Sequence, residues 1–203
     1  MTAHYIEPMF TPEVLRQQEG HGSRPAYGRL ADEATGTADA LGPREQMFLA
    51  MRDSFYLAST SANGWPYVQH RGGPPGFVKL IDERTIGFAD YRGNRQYVSL
   101  GNIATDDRVG LFFMDYTRRA RMKVLGRMRA VDLRDTPDLS TALTDPSYPA
   151  RVERGFVIAV EAFDWNCPQH ITPRFNQAEL DAHTAPLHRR IAELEATLRE
   201  EAP

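Results

Sequence analysis

Short apolar segments separated by turn residues fill much of the chain between residues 54 and 163, and they restrict the possible folds most. Asn63-Gly64, a dipeptide typical of a β-hairpin, stands between the segments 55–60 and 66–71. The segment 120–132 alternates apolar and basic residues, which predicts a half-buried strand. Strands and helices do not alternate as they do in βαβ units. We therefore predict a mainly β fold with flanking helices, a six-stranded antiparallel barrel.

Changes in amino-acid composition along the chain predict three regions. Residues 1–42 are expected to form an arm with a short helix after Thr11-Pro12, residues 43–174 the barrel domain, and residues 175–203 a C-terminal helix. A second helix is predicted from Arg44 to Asp53, with Met47, Phe48 and Met51 on one apolar face. The four residues of an apolar stripe on the C-terminal helix fit packing either on the chain's own barrel or on a partner chain. They are Leu187, Ile191, Leu194 and Leu198.

Composition excludes several classes of protein. No stretch approaches 18 uninterrupted apolar residues, so a membrane span is not expected. The first ten residues lack the basic and apolar parts of a secretory signal, and the single cysteine, Cys167, cannot form an intrachain disulfide. We therefore expect a cytoplasmic protein. The net charge of -3 argues against a nucleic-acid partner, and the histidines lack metal-ligand spacing, so no metal is predicted.

Positive charge is concentrated within residues 84–129, where ten Lys or Arg residues face four Asp residues, a local charge of +6. Inside this region a helix is predicted from Asn94 to Ala104, with Asn94 as its N-cap and Arg95 in its first turn. An arginine there is unfavourable against the helix dipole unless an anion compensates it. The sequence therefore points to a phosphate site at this turn, although a solvated arginine after an ordinary cap fits as well.

The glycine-rich loop 72–76 leads into Phe77-Val78-Lys79, where glycines allow a flat ligand to approach the backbone. Together with the later segments 107–113 and 121–127, the run 77–96 resembles the FMN-binding split barrel of the pyridoxamine 5'-phosphate oxidase superfamily. Residues 69–77 and 165–171 resemble a subgroup of predicted flavin-nucleotide-binding proteins in that superfamily. The resemblance covers about half of the chain.

The resemblance implies nine cofactor-binding residues: Phe77, Val78, Lys79, Asp90, Asn94, Arg95, Gln96, Arg121 and Trp165. The backbone at 77–78 would border the flavin ring, and Lys79 would reach toward the cofactor. Residues 94–96 correspond to a Ser-Arg-Lys phosphate clamp, with a glutamine in place of the lysine. Arg121 would lie beside the ring, and Trp165 would reach the site across a dimer interface.

By this resemblance the chain is a homodimeric flavoprotein that transfers a hydride between FMN and an unidentified small molecule. The flavin would carry the redox step, which fits the absence of a catalytic triad or carboxylate pair from the sequence. His70 and His170 are candidate proton donors near the ring. Two alternatives remain open, a flavin- or haem-binding module without turnover and a deazaflavin-dependent reductase of the same fold.

Overall fold

A computed structural model describes residues 3–32, 38–165 and 169–201 of the chain. The strands are β1 (Ser54–Thr60), β2 (Pro66–Gly72), β3 (Lys79–Asp82), β4 (Thr85–Tyr91), β5 (Arg108–Asp115), β6 (Ala120–Val131) and β7 (Val152–Trp165). The helices are α1 (Ala3–Met9), α2 (Pro12–Gly20), α3 (Pro25–Asp32), α4 (Pro43–Ala50), α5 (Val98–Ile103), α6 (Pro137–Leu143) and α7 (Gln177–Glu201). Residues up to 114 and 121–165 form one compact unit; residues 115–120 and 169–201 form a second.

The strands form one sheet in the order β2-β1-β5-β6-β7-β4-β3. The pairs β1–β2, β1–β5, β3–β4, β4–β7 and β6–β7 are antiparallel. The order starts at β2 and ends at β3, so the sheet is open between these strands within the described residues. This confirms the mainly β antiparallel fold of split-barrel type. The described sheet has seven strands and not the predicted six, and its shortest strand is β3, four residues paired with β4.

Tight turns and register shifts in the β3–β4, β4–β7 and β6–β7 pairs set the register of the sheet. The predicted hairpin at Asn63-Gly64 is confirmed, with Gly64 at a φ of +83°, a conformation that favours glycine. The long β6–β7 pair runs from Met122 opposite Trp165 to Val131 opposite Gly155 and shifts register between Leu125 and Gly126. A Cβ on Gly126 would lie 2.5 Å from the carbonyl oxygen of Ala159, so the close approach of the two strands requires glycine there.

An aromatic cluster fills the space enclosed by the sheet. Phe55 lies 5.0 Å from Phe113 and 5.2 Å from Phe88, and Phe88 lies 5.4 Å from Phe156, measured between ring centroids. All four rings are buried, together with aliphatic residues on the same inward faces of the strands. Burying a phenylalanine side chain contributes about 1.5–3 kcal/mol, so the four rings together contribute substantially to the stability of the fold.

The N-terminal residues form three helices before the barrel begins. The predicted helix after Thr11 is confirmed as α2, and the Thr11 hydroxyl accepts a hydrogen bond from Val14 N at 3.4 Å. Helix α1, which we did not predict, packs on β7 and buries Tyr5 and Ile6. The boundary at residue 42 stays a prediction.

Two helix predictions need correction. Helix α4 ends at Ala50, and it buries Phe48 and Leu49 while Met47 and Met51 are exposed, so the predicted methionine face is wrong. Helix α5 begins at Val98 and not at Asn94. The φ angles of +61° at Arg95 and +54° at Tyr97 are left-handed and cannot belong to an α-helix.

In the second unit α7 runs from Gln177 to Glu201, inside the segment 175–203 for which a C-terminal helix was predicted. Asn176 caps it reciprocally with Glu179: Asn176 Oδ1 accepts from Glu179 N at 2.8 Å, and Asn176 N donates to the Glu179 carboxylate at 3.0 Å. The Thr117 hydroxyl also donates to this carboxylate, at 2.9 Å. Among the described helices, none combines the length and apolar character that crossing a membrane requires.

Candidate functional site: an arginine-lined pocket

A pocket of about 190 Å³ opens at one end of β2, β4 and β7, beside the turn that leads into α5. Its walls are Gln69, Arg71, Asp90, Tyr91, Gly93, Asn94, Arg95, Tyr97, Val98, Ser99, Leu100, Glu153 and Phe156. Alternation along β2 directs Gln69 and Arg71 to the same, half-buried face of that strand. The pocket is therefore built from three strands and one turn that are distant in the sequence.

Asp90 lies at the base of the pocket between two arginines. Arg71 Nη1 donates to Asp90 Oδ1 at 2.6 Å, and Arg154 Nε lies 3.2 Å from Asp90 Oδ2. Asp90 on β4 and Arg154 on β7 are directly opposite each other in the antiparallel pairing. The Asp90 residue is only 7% exposed, so these ion pairs are largely removed from water.

Burial raises the pKa of Asp90 from its ordinary value of 3.8, and the Glu153 carboxylate adds to this rise. The charges of Arg71 and Arg154, with the hydrogen bond from Arg71, act in the opposite direction and limit it. The ionised form of Asp90 therefore depends on the two guanidinium groups that face it.

A second layer of polar groups surrounds this base. Glu153 accepts from Arg154 at 3.1 Å and from the Tyr97 hydroxyl at 3.3 Å, and Arg92 Nε lies 3.7 Å from it. Arg95 Nε in turn donates to the Tyr97 hydroxyl at 3.2 Å. Arg71 and Arg95 line the pocket together with Asp90 and Glu153, and Arg92 and Arg154 lie behind the two carboxylates. Counted together, this cluster of four arginines and two carboxylates has a net charge of +2.

The turn at residues 92–97 presents Arg95 to solvent in a strained conformation. The side chain of Asn94 accepts from Gln96 N at 3.2 Å, an Asx turn that stabilises the reversal locally. Two non-glycine residues here, Arg95 and Tyr97, have positive φ angles, which costs on the order of 1 kcal/mol each. Strain of this kind is common where a loop is shaped to hold a ligand.

One buried donor of the pocket lacks a partner. Within the part of the chain that the structure describes, Arg71 Nε is buried and makes no hydrogen bond. Its guanidinium carbon lies 5.5 Å from the ring centre of Phe156, which holds the side chain in place. A fixed guanidinium with an unpartnered N–H, in a cluster of four arginines and two carboxylates, has the chemistry that pairs with a phosphate or carboxylate.

Comparison with protein-family models gives a match to pyridoxamine 5'-phosphate oxidase over residues 41–153, more than half of the 203 residues. The matched range holds β1 to β6 and the pocket residues up to Glu153. The chain belongs to the pyridoxamine 5'-phosphate oxidase family. A comparison with curated proteins finds no significant match.

Three solved structures are similar at low sequence identity. HupZ of Group A Streptococcus is 14% identical, with 66% of this chain and 100% of that chain covered and a TM-score of 0.47. An FMN-binding protein from Syntrophomonas wolfei is 12% identical, with coverages of 60% and 82% and a TM-score of 0.46. A Clostridium acetobutylicum protein related to general stress protein 26 is 11% identical, with coverages of 67% and 94% and a TM-score of 0.44.

The structure brings three of the nine residues implied by the family resemblance to the pocket. Asp90, Asn94 and Arg95 line it, and Gln96 lies in the same turn. Arg95 is not in a helical turn, however, so the argument from a helix N-terminus was wrong about the local structure. The positive charge near this turn comes instead from the arginines clustered around Asp90.

Residues 77–79 lie outside this pocket. Phe77 and Val78 are buried before β3, and the Phe77 ring stacks on Phe55 at 5.8 Å. Lys79 begins β3, half-buried and opposite Gly87 of β4. Their role toward a cofactor stays a prediction.

Arg121 and Trp165 lie near the end of the β6–β7 pair. Trp165 Nε1 donates to Glu45 at 2.7 Å, and its ring contacts Phe48 edge-on at 4.8 Å. The guanidinium of Arg44 stands 4.1 Å from the centre of the Trp165 ring. Trp165 is thus held by α4 of its own chain. Arg121 Nε is buried without a hydrogen-bond partner among the described residues.

Sequence reasoning missed five polar residues of the site: Arg71, Tyr97, Ser99, Glu153 and Arg154. The signal for Arg71 was present, since an arginine two residues after Gln69 on a short strand shares its half-buried face. Arg154 was not recognisable, because its role comes from the pairing of β7 with β4. Ser99 donates to Gln69 at 2.9 Å and joins α5 to β2.

The two histidine candidates, His70 and His170, are not among the residues that line the pocket. His70 is exposed on β2, where its ring meets Tyr56 edge-on at 5.8 Å. Cys167 lies outside the described residues, and His170 is an exposed residue of the second unit with a φ of +60°. Within residues 3–32, 38–165 and 169–201, no three His, Cys, Asp or Glu residues are grouped as a metal site requires.

Proposed function

We propose that this chain binds FMN and transfers a hydride between FMN and a small molecule, acting as a homodimer. The observation that carries the proposal is the arginine-lined pocket, which lies within the family match and includes Asn94 and Arg95 of the implied phosphate clamp. The net charge of +2 and the free Arg71 Nε suit the FMN phosphate.

The size of the pocket supports a phosphate site better than a site for a whole cofactor. Pockets that enclose drug-sized ligands measure roughly 300–1,000 Å³. At about 190 Å³ this pocket takes the phosphate and part of the sugar chain. The ring would then lie outside it, which supports our proposal that a second copy of the chain completes the site.

The residues of the pocket have distinct parts in this proposal. FMN supplies the hydride chemistry when it is bound, and the protein supplies position and charge. Arg95, exposed on its turn, would contact the phosphate from outside, while Arg71 would meet it from the pocket floor. Asp90 holds Arg71 and Arg154 in fixed geometry through its two oxygens.

Visible absorption of the purified protein tests the cofactor assignment, before and after excess FMN is added and removed by desalting. We expect a retained flavin spectrum near one flavin per chain. A haem Soret band or a deazaflavin spectrum that excess FMN does not displace would contradict the FMN assignment. Light scattering on the flavin-loaded protein should give twice the chain mass, and a monomer mass would contradict a shared site.

Arg95→Ala tests the phosphate assignment. A charge-assisted hydrogen bond contributes about 1.5–3 kcal/mol, so FMN affinity should fall roughly 10- to 100-fold. Riboflavin affinity should change little, because riboflavin lacks the phosphate. Arg119→Ala is a matched control, since Arg119 is also an exposed arginine with positive φ, at +51°, and does not line the pocket. Equal losses for FMN and riboflavin would refute the role of Arg95.

A further inference from the structure

We infer that α7 pairs with α7 of a second copy of this chain as a parallel, two-stranded coiled coil. The helix carries a heptad pattern in which every third or fourth residue faces one side. The positions on that side are Leu180, Thr184, Leu187, Ile191, Leu194 and Leu198. The five aliphatic residues of this stripe are 45%, 62%, 53%, 47% and 66% exposed, in chain order. The stripe thus extends further toward the N-terminus than the four residues recognised from the sequence.

The identity of the stripe residues favours a pair of parallel helices. In heptad positions, Leu180, Leu187 and Leu194 occupy d, and Ile191 and Leu198 occupy a. A β-branched residue at a with leucine at d is typical of parallel dimers. An exposed apolar row of this length is costly in water, and a second copy of the same row is its natural complement.

The charges beside the stripe fit a second copy in parallel register. Arg190 occupies a g position, and Glu195, five residues later, occupies the e position that faces g of the partner helix. Two symmetric Arg–Glu pairs would therefore form between the copies. Within one chain Arg190 contacts Glu193 at 3.0 Å, but both side chains are more than 60% exposed, so this pair is easily exchanged.

The length and start of α7 suit this role. Its 25 residues extend about 37 Å, and the Asn176–Glu179 capping box fixes where the helix begins. The stripe from Leu180 to Leu198 spans under three heptads, and the helix contains Pro186, at a c position away from the stripe, which removes one helix hydrogen bond. Such a coiled coil is weak alone, but tethering to a larger protein raises the effective concentration of its partner. The inference does not depend on which cofactor the chain binds.

Disulfide cross-linking of the full-length protein tests the pairing. In a Cys167→Ser background, Leu194→Cys places a thiol at a d position, where the two symmetric copies meet. Ala196→Cys is the matched control, since it places a thiol on the opposite face of the helix. Mild oxidation should yield roughly tenfold more covalent dimer from Leu194→Cys than from Ala196→Cys, because a disulfide needs its two Cβ atoms close together.

Charge reversal in the Leu194→Cys background tests the parallel register. Arg190→Glu or Glu195→Arg alone should reduce cross-linking, about fivefold, and the double variant should restore it, because each single change creates two like-charge pairs. Equal cross-linking of Leu194→Cys and Ala196→Cys, none in either, or no restoration by the double variant would overturn the proposal. Flavin content of the same samples keeps this result separate from that of the proposed function.

Discussion

Replacing Arg71 by methionine should destabilise the protein in a pH-dependent way. Methionine retains an unbranched apolar side chain that can cover the Phe156 ring, so the change removes mainly a charge and a hydrogen-bond donor. What is lost is the 2.6 Å contact with Asp90, whose side chain is 9% exposed. Arg154 remains 3.2 Å from the other oxygen of Asp90.

The structure sets the expected magnitude. Removing one partner of a buried ion pair costs about 3–5 kcal/mol when the other charge is left alone. Because Arg154 remains, we expect about 2–3 kcal/mol at neutral pH. For a chain of this size each kcal/mol lowers the melting temperature by roughly 2–4 °C, so Tm should fall by about 4–12 °C.

The sign of the pH dependence follows from the pKa of Asp90. Burial already raises this pKa above 3.8 in the folded protein, and loss of Arg71 raises it further. A carboxyl group whose pKa is raised by folding destabilises the folded state as the pH rises above its ordinary pKa. The ionised Asp90 therefore lowers the stability of the variant more than that of the wild type at higher pH. The difference in unfolding free energy between the variant and the wild type should therefore be larger near about pH 8 than near about pH 4, because protonation of Asp90 removes the charge that Arg71 stabilises.

Urea unfolding at the two pH values measures this difference. Arg134→Met is the matched control, because Arg134 also forms an ion pair with an aspartate, Asp132, but its side chain is 88% exposed. Its effect should be clearly smaller than that of Arg71→Met. A loss of stability for Arg71→Met that is the same at both pH values, or no greater than the control, would refute the reasoning.

Two further substitutions test the packing around the sheet. Gly126→Ala should lower the free energy of unfolding by about 1–3 kcal/mol, because the new Cβ would lie 2.5 Å from the Ala159 oxygen. Gly101→Ala is the control: a Cβ there meets open space, so thermal melts should show a neutral or stabilising effect. Glu45→Ala removes the carboxylate that accepts the 2.7 Å hydrogen bond from Trp165. Urea unfolding should show a loss of about 1–3 kcal/mol, and the near-UV circular dichroism of the tryptophan should change. Unchanged values in both measurements would contradict this.

Much of the fold was predictable because its signals are local. The Asn63-Gly64 turn specifies its hairpin through the backbone freedom of glycine, and the alternating pattern of 120–132 marks a strand with one buried face. The stripe of α7 likewise follows from helical spacing. The start of α5 was missed because Arg95 and Tyr97 adopt left-handed φ angles. Glycine is the usual residue at such angles, so nothing in the residue types at 95 and 97 indicates them.

The sequence by itself determined the strand and turn pattern and the local positive charge, and it singled out Asn94 and Arg95, although it assigned them to a helix that begins only at Val98. Only the tertiary structure decided that Arg71 and Arg154 meet at Asp90. That meeting depends on the pairing of β7 with β4 and on the path of β2, which bring together residues up to 83 positions apart in the chain. The pairing of these distant strands is stabilised by burial of the aromatic core that they share. Because this free energy depends on residues from the whole sheet, it cannot be read from a short segment of sequence.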